Sequence, residues 1–223
     1  MKHHGGCAKA DLTKEGLDTL EKGLPNLLNH IENVTKVFNL PAVVAINRFP
    51  QDTVTELELI RSQCKKYGAN IALSEVWAKG SEGGIELAKE VIRLAEDVKP
   101  LNFTYPDEAP VKDKLLAIAQ RIYGADNVIF TENASAQIKK IENMGFGKLP
   151  VCVAKTQYSF SDDPVKLGCP KGFNITVKNI KISAGAGFIV ALTGDIMTMP
   201  GLPKVPSAQT IDIDENGKIS GLF

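Results

Sequence analysis

Residues 41–80, PAVVAINRFPQDTVTELELIRSQCKKYGANIALSEVWAKG, constrain the fold more than any other stretch. Val43 to Ile46 form a short apolar run of β-branched character, the pattern of a strand buried on both faces. A polar loop over residues 47–53 follows. Thr53 and Glu56 stand at capping-box spacing, where hydroxyl and carboxylate satisfy each other's free amides. Leu57, Ile60 and Cys64 continue an apolar stripe at helical spacing, and Gly68 supplies the stop. Ile71 to Leu73 open a second apolar strand that leads to Val76 and Trp77. Strand, crossover helix and strand within about thirty residues make a parallel, right-handed βαβ unit.

Ligands of such units bind beyond the carboxyl ends of the strands. Each end carries an aromatic ring here: Phe49 after the first strand and Trp77, the only tryptophan, after the second. Two flat faces side by side suit a slot for a flat ring, with stacking worth about 0.5–1.5 kcal/mol beyond area burial. The same two rings would equally serve to plug the end of the core.

The remaining chain reads as further helices and strands of an α/β fold. Residues 1–12 are expected to be a loop. Thr13 opens a helix that Gly23 ends, and Pro25 starts a second with Leu28, Ile31, Val34, Val37 and Phe38 on one stripe. After Trp77 a glycine-rich loop, Ala78 to Gly84, is either a mobile connection or a flap over a ligand held at Trp77. It is no phosphate-binding loop, since Gly-x-x-x-x-Gly-Lys-Ser/Thr occurs nowhere in the sequence. A helix over 85–97 faces Leu87, Val91, Leu94 and Ala95 inward. Three prolines in residues 100–110 mark a subdomain boundary, dividing the chain into a βαβ-containing part, 1–99, and a smaller C-terminal α/β subdomain, 100–223.

In that second part a helix over 111–123 (Leu115, Ile118, Ala119 and Ile122 on one stripe), a strand at 128–130, a helix over 134–144 and a buried strand at 149–154 repeat the strand–helix–strand order. Cys152 is expected inside that strand. Residues 155–172 form a long irregular loop, and Ile175 to Ile182 and Phe188 to Leu192 form strands. Ser183 to Gly187 is a stretch whose backbone approaches another segment or a ligand closely. A Pro/Gly-rich loop over 197–206 follows. Asn216-Gly217, flanked by Ile213 and Ile219, reads as a terminal hairpin with a type I′ turn.

Composition narrows the function classes. Lys plus Arg equals Asp plus Glu at 26 each, so no net positive field draws the chain to nucleic acid or an anionic membrane. Apolar residues make up 43% and charged residues 23%, ordinary for a soluble domain. No apolar window approaches the length of a membrane span, and the polar start lacks a signal-peptide core, which points to the cytoplasm. The four cysteines, at 7, 64, 152 and 169, are not at zinc-ligand spacing, and no metal site is expected at His3 and His4.

Several long segments, NRFPQDT, ALSEVWAKG, RIYGAD, GFGKLPVCVAKTQYSFSDDP, SAGAGFIVALTGDIMTMPGLPKVP and the terminal GLF, run collinear with formate–tetrahydrofolate ligases, and the whole chain resembles that family. The opening Lys2-His3-His4-Gly5-Gly6 is similar to the end of a family signature, so the resemblance implies the C-terminal part of a longer enzyme. It further implies the ATP- and Mg²⁺-dependent joining of formate to tetrahydrofolate, through formyl phosphate, to give 10-formyltetrahydrofolate. The family's P-loop would lie upstream of Met1, and the chain would need that half, as partner or as its own missing part, and form homo-oligomers. By family match Phe49 and Trp77 flank the folate ring, with Pro50 and Leu73 lining the slot. Asn47, Arg48 and Asp52, in the same loop, are candidates for polar contacts or for loop caps. Lys155 and Asp195 have no matched role, and a surface salt bridge is the expectation for each. The alternative to a ligase part is a fragment that binds folate without catalysis, or a purely structural piece.

Overall fold

The computed structural model describes residues 1–97, 99–194, 196, 204–217 and 219–221. The chain starts with two short 3₁₀ turns, Lys2–Gly5 and Lys9–Asp11, rather than an irregular loop. Helix α1, Leu17–Glu32, then runs without a break through Gly23 and Pro25 and continues as a π-helical turn, Asn33–Val37. The expected break at Gly23 is absent because this glycine serves packing. A Cβ there would lie 2.1 Å from the Met1 carbonyl oxygen and 3.0 Å from the Gly5 nitrogen, and a Cβ on Gly5 would lie 1.7 Å from the Thr19 carbonyl oxygen. The first 3₁₀ turn thus seats backbone against backbone on α1.

The βαβ unit forms as the pattern predicts. Strand β1, Val43–Asn47, helix α2, Val54–Lys66, and strand β2, Asn70–Ser74, pair β1 and β2 in parallel, with Val43 opposite Asn70 and Asn47 opposite Ser74. The Thr53–Glu56 capping box is complete, the Glu56 amide donating to the Thr53 hydroxyl and the Thr53 amide to the Glu56 carboxylate. Leu20, Leu24 and Ile31 of α1 close over Ile46, Leu57, Ile60 and Cys64 to make one core. The sheet is not buried on both faces, however: Ala45 is exposed and Val43 and Val44 are half-buried, because among the described residues only two strands are joined here.

Beyond β2 the chain makes a single helical turn, α3 (Val76–Lys79), which carries Trp77. The glycine-rich segment is a 3₁₀ turn, Gly80–Gly84, clamped by a bond from the Glu75 amide to the Gly83 carbonyl, 3.0 Å. Gly83 is required there, since a Cβ would fall 2.5 Å from the Glu75 carbonyl. Helix α4, Ile85–Ala95, covers one face of the sheet only loosely: Leu87 and Leu94 are half-buried, whereas Val91 and Ala95, expected inward, are exposed.

The second core lies under helices α5 (Val111–Ile118, extended by a π-helical turn Ala119–Tyr123) and α6 (Glu132–Asn143). Its four strands are β3 (Asn127–Phe130), β4 (Val151–Ala154), β5 (Asn174–Ser183) and β6 (Phe188–Thr193), in the order β3-β5-β6-β4. β5 and β6 form a central antiparallel hairpin, and β3 and β4 add in parallel to its two outer edges. The second strand–helix–strand order is therefore not a second parallel βαβ unit, since β3 and β4 end at opposite edges.

Edge placement also explains Cys152, which is exposed although its strand is apolar: alternation turns Val151 and Val153 onto the core and Cys152 away from it. The Ser183–Gly187 stretch is the hairpin turn itself, the Gly187 amide donating to the Ser183 carbonyl at 2.9 Å; no atom lies within 4 Å of a Cβ at Gly185 or Gly187, so close approach is not its purpose. The last described strands, β7 (Asp212–Ile213) and β8 (Ile219–Ser220), pair antiparallel. Their turn closes with the Gly217 amide on the Asp214 carbonyl, and Asn216 is not at positive φ as Gly217 is, so the Asn-Gly pair does not form a type I′ turn.

The two cores meet through polar side chains on backbone. Asn26 donates to the Gly168 carbonyl, Asn33 to the Ile122 carbonyl, and the Gly168 amide donates to His4 Nδ1. The His30 and Phe160 rings lie 4.6 Å apart across the same seam.

Candidate functional site

Phe49 and Trp77 stand where the two strand ends converge. Their ring centroids are 6.1 Å apart and their planes are inclined by 23°. Neither ring plugs the core: Phe49 is 46% exposed and Trp77 55%. Two half-exposed, nearly parallel rings at the carboxyl end of a parallel pair form an open aromatic step.

Local chemistry fixes each ring differently. Trp77 Nε1 donates to the Arg48 carbonyl at 2.7 Å, which ties the indole to the end of β1. The Phe49 ring has no such handle; its loop is held by Asp52, whose Oδ2 reaches back to accept from the Phe49 amide at 2.8 Å. Asp52 thus acts here as a loop cap. Arg48 Nη1 reaches Glu75 at 3.3 Å, and Glu75 also takes a bond from Lys79 Nζ at 2.6 Å. The Lys79 hydrogen bond, outweighing desolvation, holds the Glu75 carboxyl below its ordinary range together with Arg48. Glu75 lies within the ALSEVWAKG segment but was given no role from the sequence, yet its side chain and its amide together join β1, α3 and the glycine turn.

The other candidates are dispersed. Asn47, Phe49 and Asp52 line a cavity of about 360 Å³ between α1, β1 and α2, whereas Leu73 lines a separate one of about 670 Å³ between α2, β2 and α4. Pro50 is exposed and Leu73 half-buried. The smaller cavity also holds the Lys2–Glu56 ion pair, 2.9 Å, with Glu56 4% exposed and accepting from the Gly16 amide at 3.0 Å. Burial raises the Glu56 pKa, but bonds from Lys2, Gly16 and Thr53 and the Lys2 charge outweigh it and leave the carboxyl lowered. The capping box revealed Glu56 in the sequence; a partner 54 positions away left no local signal.

Among the described residues Lys155 forms no salt bridge. Its Nζ donates to the carbonyls of Thr156 and Ser159 and lies 5.1 Å from the Tyr123 ring centroid. Burial, only partly opposed by the Asp162 charge, lowers its pKa to about 8. Asp195 and residues 197–203 of the Pro/Gly-rich loop lie outside the described residues. Among the described residues no group of three or more His, Cys, Asp or Glu side chains is arranged to hold a metal ion, and no helix is long and apolar enough to cross a membrane.

Comparison with known proteins places the chain in a family. The formate–tetrahydrofolate ligase family model matches residues 1–223. The chain belongs to the formate–tetrahydrofolate ligase family. A curated formate–tetrahydrofolate ligase of Symbiobacterium thermophilum is 55% identical over all 223 residues. The match covers 40% of that relative's length, so the chain spans well under half of it.

Proposed function

We propose that this chain supplies the folate-ring slot of an ATP-dependent ligase that joins formate to tetrahydrofolate, giving 10-formyltetrahydrofolate by way of formyl phosphate. The observation that carries this reading is the aromatic step: Phe49 and Trp77 are half-exposed, nearly parallel, and set at the strand ends where a parallel pair receives ligands. A pterin is a flat ring and stacks on such faces. Sandwiching it needs about 7 Å between the rings, twice a carbon contact distance of about 3.5 Å. The observed 6.1 Å is short of that, so one ring must yield. Trp77 is pinned through Nε1 and Phe49 is not, so Phe49 is the ring that swings. Arg48 is engaged by Glu75 and Asp52 by its own loop, which leaves Asn47 the freest candidate for a polar contact, with Pro50 and Leu73 as flanking apolar surface.

The sequence has no P-loop, and among the described residues no group of three or more His, Cys, Asp or Glu side chains is arranged to hold the Mg²⁺ that accompanies ATP. Those substrates fall to the part of the family polypeptide that this chain does not span. On this reading the protein is cytoplasmic, works with that part and as a homo-oligomer, and divides near residue 100 into a part bearing the folate slot (1–99) and a supporting subdomain (100–223).

Trp77 is the only tryptophan, so its fluorescence reports on the slot alone. Titration with tetrahydrofolate is expected to quench it saturably. Trp77→Ala, followed by calorimetry, is expected to weaken binding by about 1–3 kcal/mol, the scale of stacking one ring on an aromatic side chain. Unchanged affinity in Trp77→Ala, or quenching that survives intact in Phe49→Ala, removes the pair from the slot.

A further inference from the structure

Trp77 is half-exposed, so packing does not fix its ring. Its helix does not fix it either. α3 is a single turn of four residues, too short to hold its own shape, because a first helical turn orders several residues for one hydrogen bond. The order comes from Glu75, which commits every polar group it has. Its amide donates to the Gly83 carbonyl at 3.0 Å, and its carbonyl accepts from the Ala78 and Lys79 amides at 3.0 and 2.9 Å. Its carboxylate accepts from Lys79 Nζ at 2.6 Å through Oε2 and from Arg48 Nη1 at 3.3 Å through Oε1. Arg48 then closes a ring of contacts. Its amide donates to the Ser74 carbonyl at 3.0 Å, and its carbonyl accepts from Trp77 Nε1 at 2.7 Å. Indole, Arg48, Glu75 and the backbone of α3 thus form one closed circuit.

Magnitudes decide what the circuit is for. Both ion pairs of Glu75 reach solvent, with the Arg48 side chain 37% exposed and that of Lys79 57%, and pairs of this kind add little to stability. What they fix is direction. We propose that Glu75 is the positioning residue of the aromatic step. It touches no ligand. It holds the Trp77 indole, through Arg48 and α3, at the tilt on which a flat ring stacks. A face set in advance leaves less freedom to lose on binding, which strengthens binding without adding a contact. The Phe49 ring has no comparable tie, so Trp77 is the preset face and Phe49 the closing one. The proposal rests on the folate reading for its ligand, and on the free protein for its geometry.

Two measurements test it separately. In the free protein, acrylamide quenching and fluorescence anisotropy of the single tryptophan report how ordered the indole is. Glu75→Ala is expected to raise the quenching and lower the anisotropy while leaving the melting temperature unchanged. Glu75→Gln, which keeps an acceptor for Lys79 and Arg48, is expected to restore most of both. An indole as ordered in Glu75→Ala as in the parent overturns the proposal, and so does a melting temperature that falls in step with the loss of order. Should Glu75→Ala not fold, Arg48→Met takes its place, since it cuts the tie across the strand ends and leaves the Lys79 bond intact. With tetrahydrofolate as the probe, calorimetry on a double-mutant cycle separates positioning from contact. Glu75→Ala is expected to weaken binding about 10-fold, but less than about 2-fold in a Trp77→Ala background, because a residue that acts through the indole then has nothing to act on. Losses that add show Glu75 meeting the ligand itself and overturn the proposal. A parent chain that binds no tetrahydrofolate sinks the folate reading instead, and the free-protein measurement alone then decides the positioning.

Discussion

Lys155 is the side chain whose chemistry departs furthest from its type. Its ammonium is half-buried, bonded to carbonyl oxygens alone among the described residues, and lowered to about 8 chiefly by burial. The neutral, nucleophilic amine therefore accumulates as pH rises through about 8, whereas an ordinary lysine stays protonated until about 10.4. Limited acetylation with acetic anhydride, read by peptide mass spectrometry, is expected to modify Lys155 ahead of the exposed lysines at pH 8, with half-maximal labelling near that pH. Labelling that follows exposure alone contradicts it. Lys114 is a second amine of the same kind: fully buried, it is held by the Lys148 and Leu149 carbonyls at 2.8 and 3.0 Å, and burial lowers its pKa too. Neither residue was legible in the sequence. A lysine on an apolar helix face or beside a strand looks like a solvated charge until the carbonyls that receive it are placed by a distant segment. Phe49 and Trp77 were legible, because strand ends are locally marked and aromatic rings there are few.

At the scale of elements, the seat of the first 3₁₀ turn on α1 carries a sharp expectation. In an exposed helix Gly→Ala stabilises by about 1 kcal/mol. Gly23→Ala is expected to do the reverse, because the methyl group would occupy the space of the Met1 carbonyl. Overpacking of that kind costs about 1–3 kcal/mol, seen as a lower denaturation midpoint with an unchanged m-value. A stabilised variant would show that the turn does not rest there in solution. The same feature explains where the sequence misled. Glycine followed by proline reads as a helix break, and only the packing of residues 1–5 shows that α1 uses the glycine for contact. The βαβ unit was readable because capping box, stripe and stop signal are all local. The order β3-β5-β6-β4 was not, since no local signal tells a strand which neighbour it will find.

For the whole molecule, the absence of the P-loop motif from the sequence sets the expectation. Phosphoryl transfer depends on positioning of the kind that backbone amides cradling a triphosphate provide. The purified chain alone is expected to form no 10-formyltetrahydrofolate from formate, ATP and tetrahydrofolate in a coupled absorbance assay. Turnover by the pure chain would show that another element does the work of the cradle. Folate binding and turnover are thus expected to part company in this chain, and the two assays together distinguish a ligand-holding part from an inert one.

The strand order has a further bearing on how the polypeptide is made. The edge strands β3 and β4 are synthesised before the central hairpin they flank. β4 ends at Ala154 and β6 at Thr193, so 39 residues (193 − 154) must still be added before β4 has its partner. At about 5–20 residues per second that wait is about 2–8 s. During it Val151, Val153 and the apolar face of α6 leave the ribosome unpartnered. The nascent chain between those two points is where holdase chaperones have most to protect, and a translational pause there would lengthen the exposure.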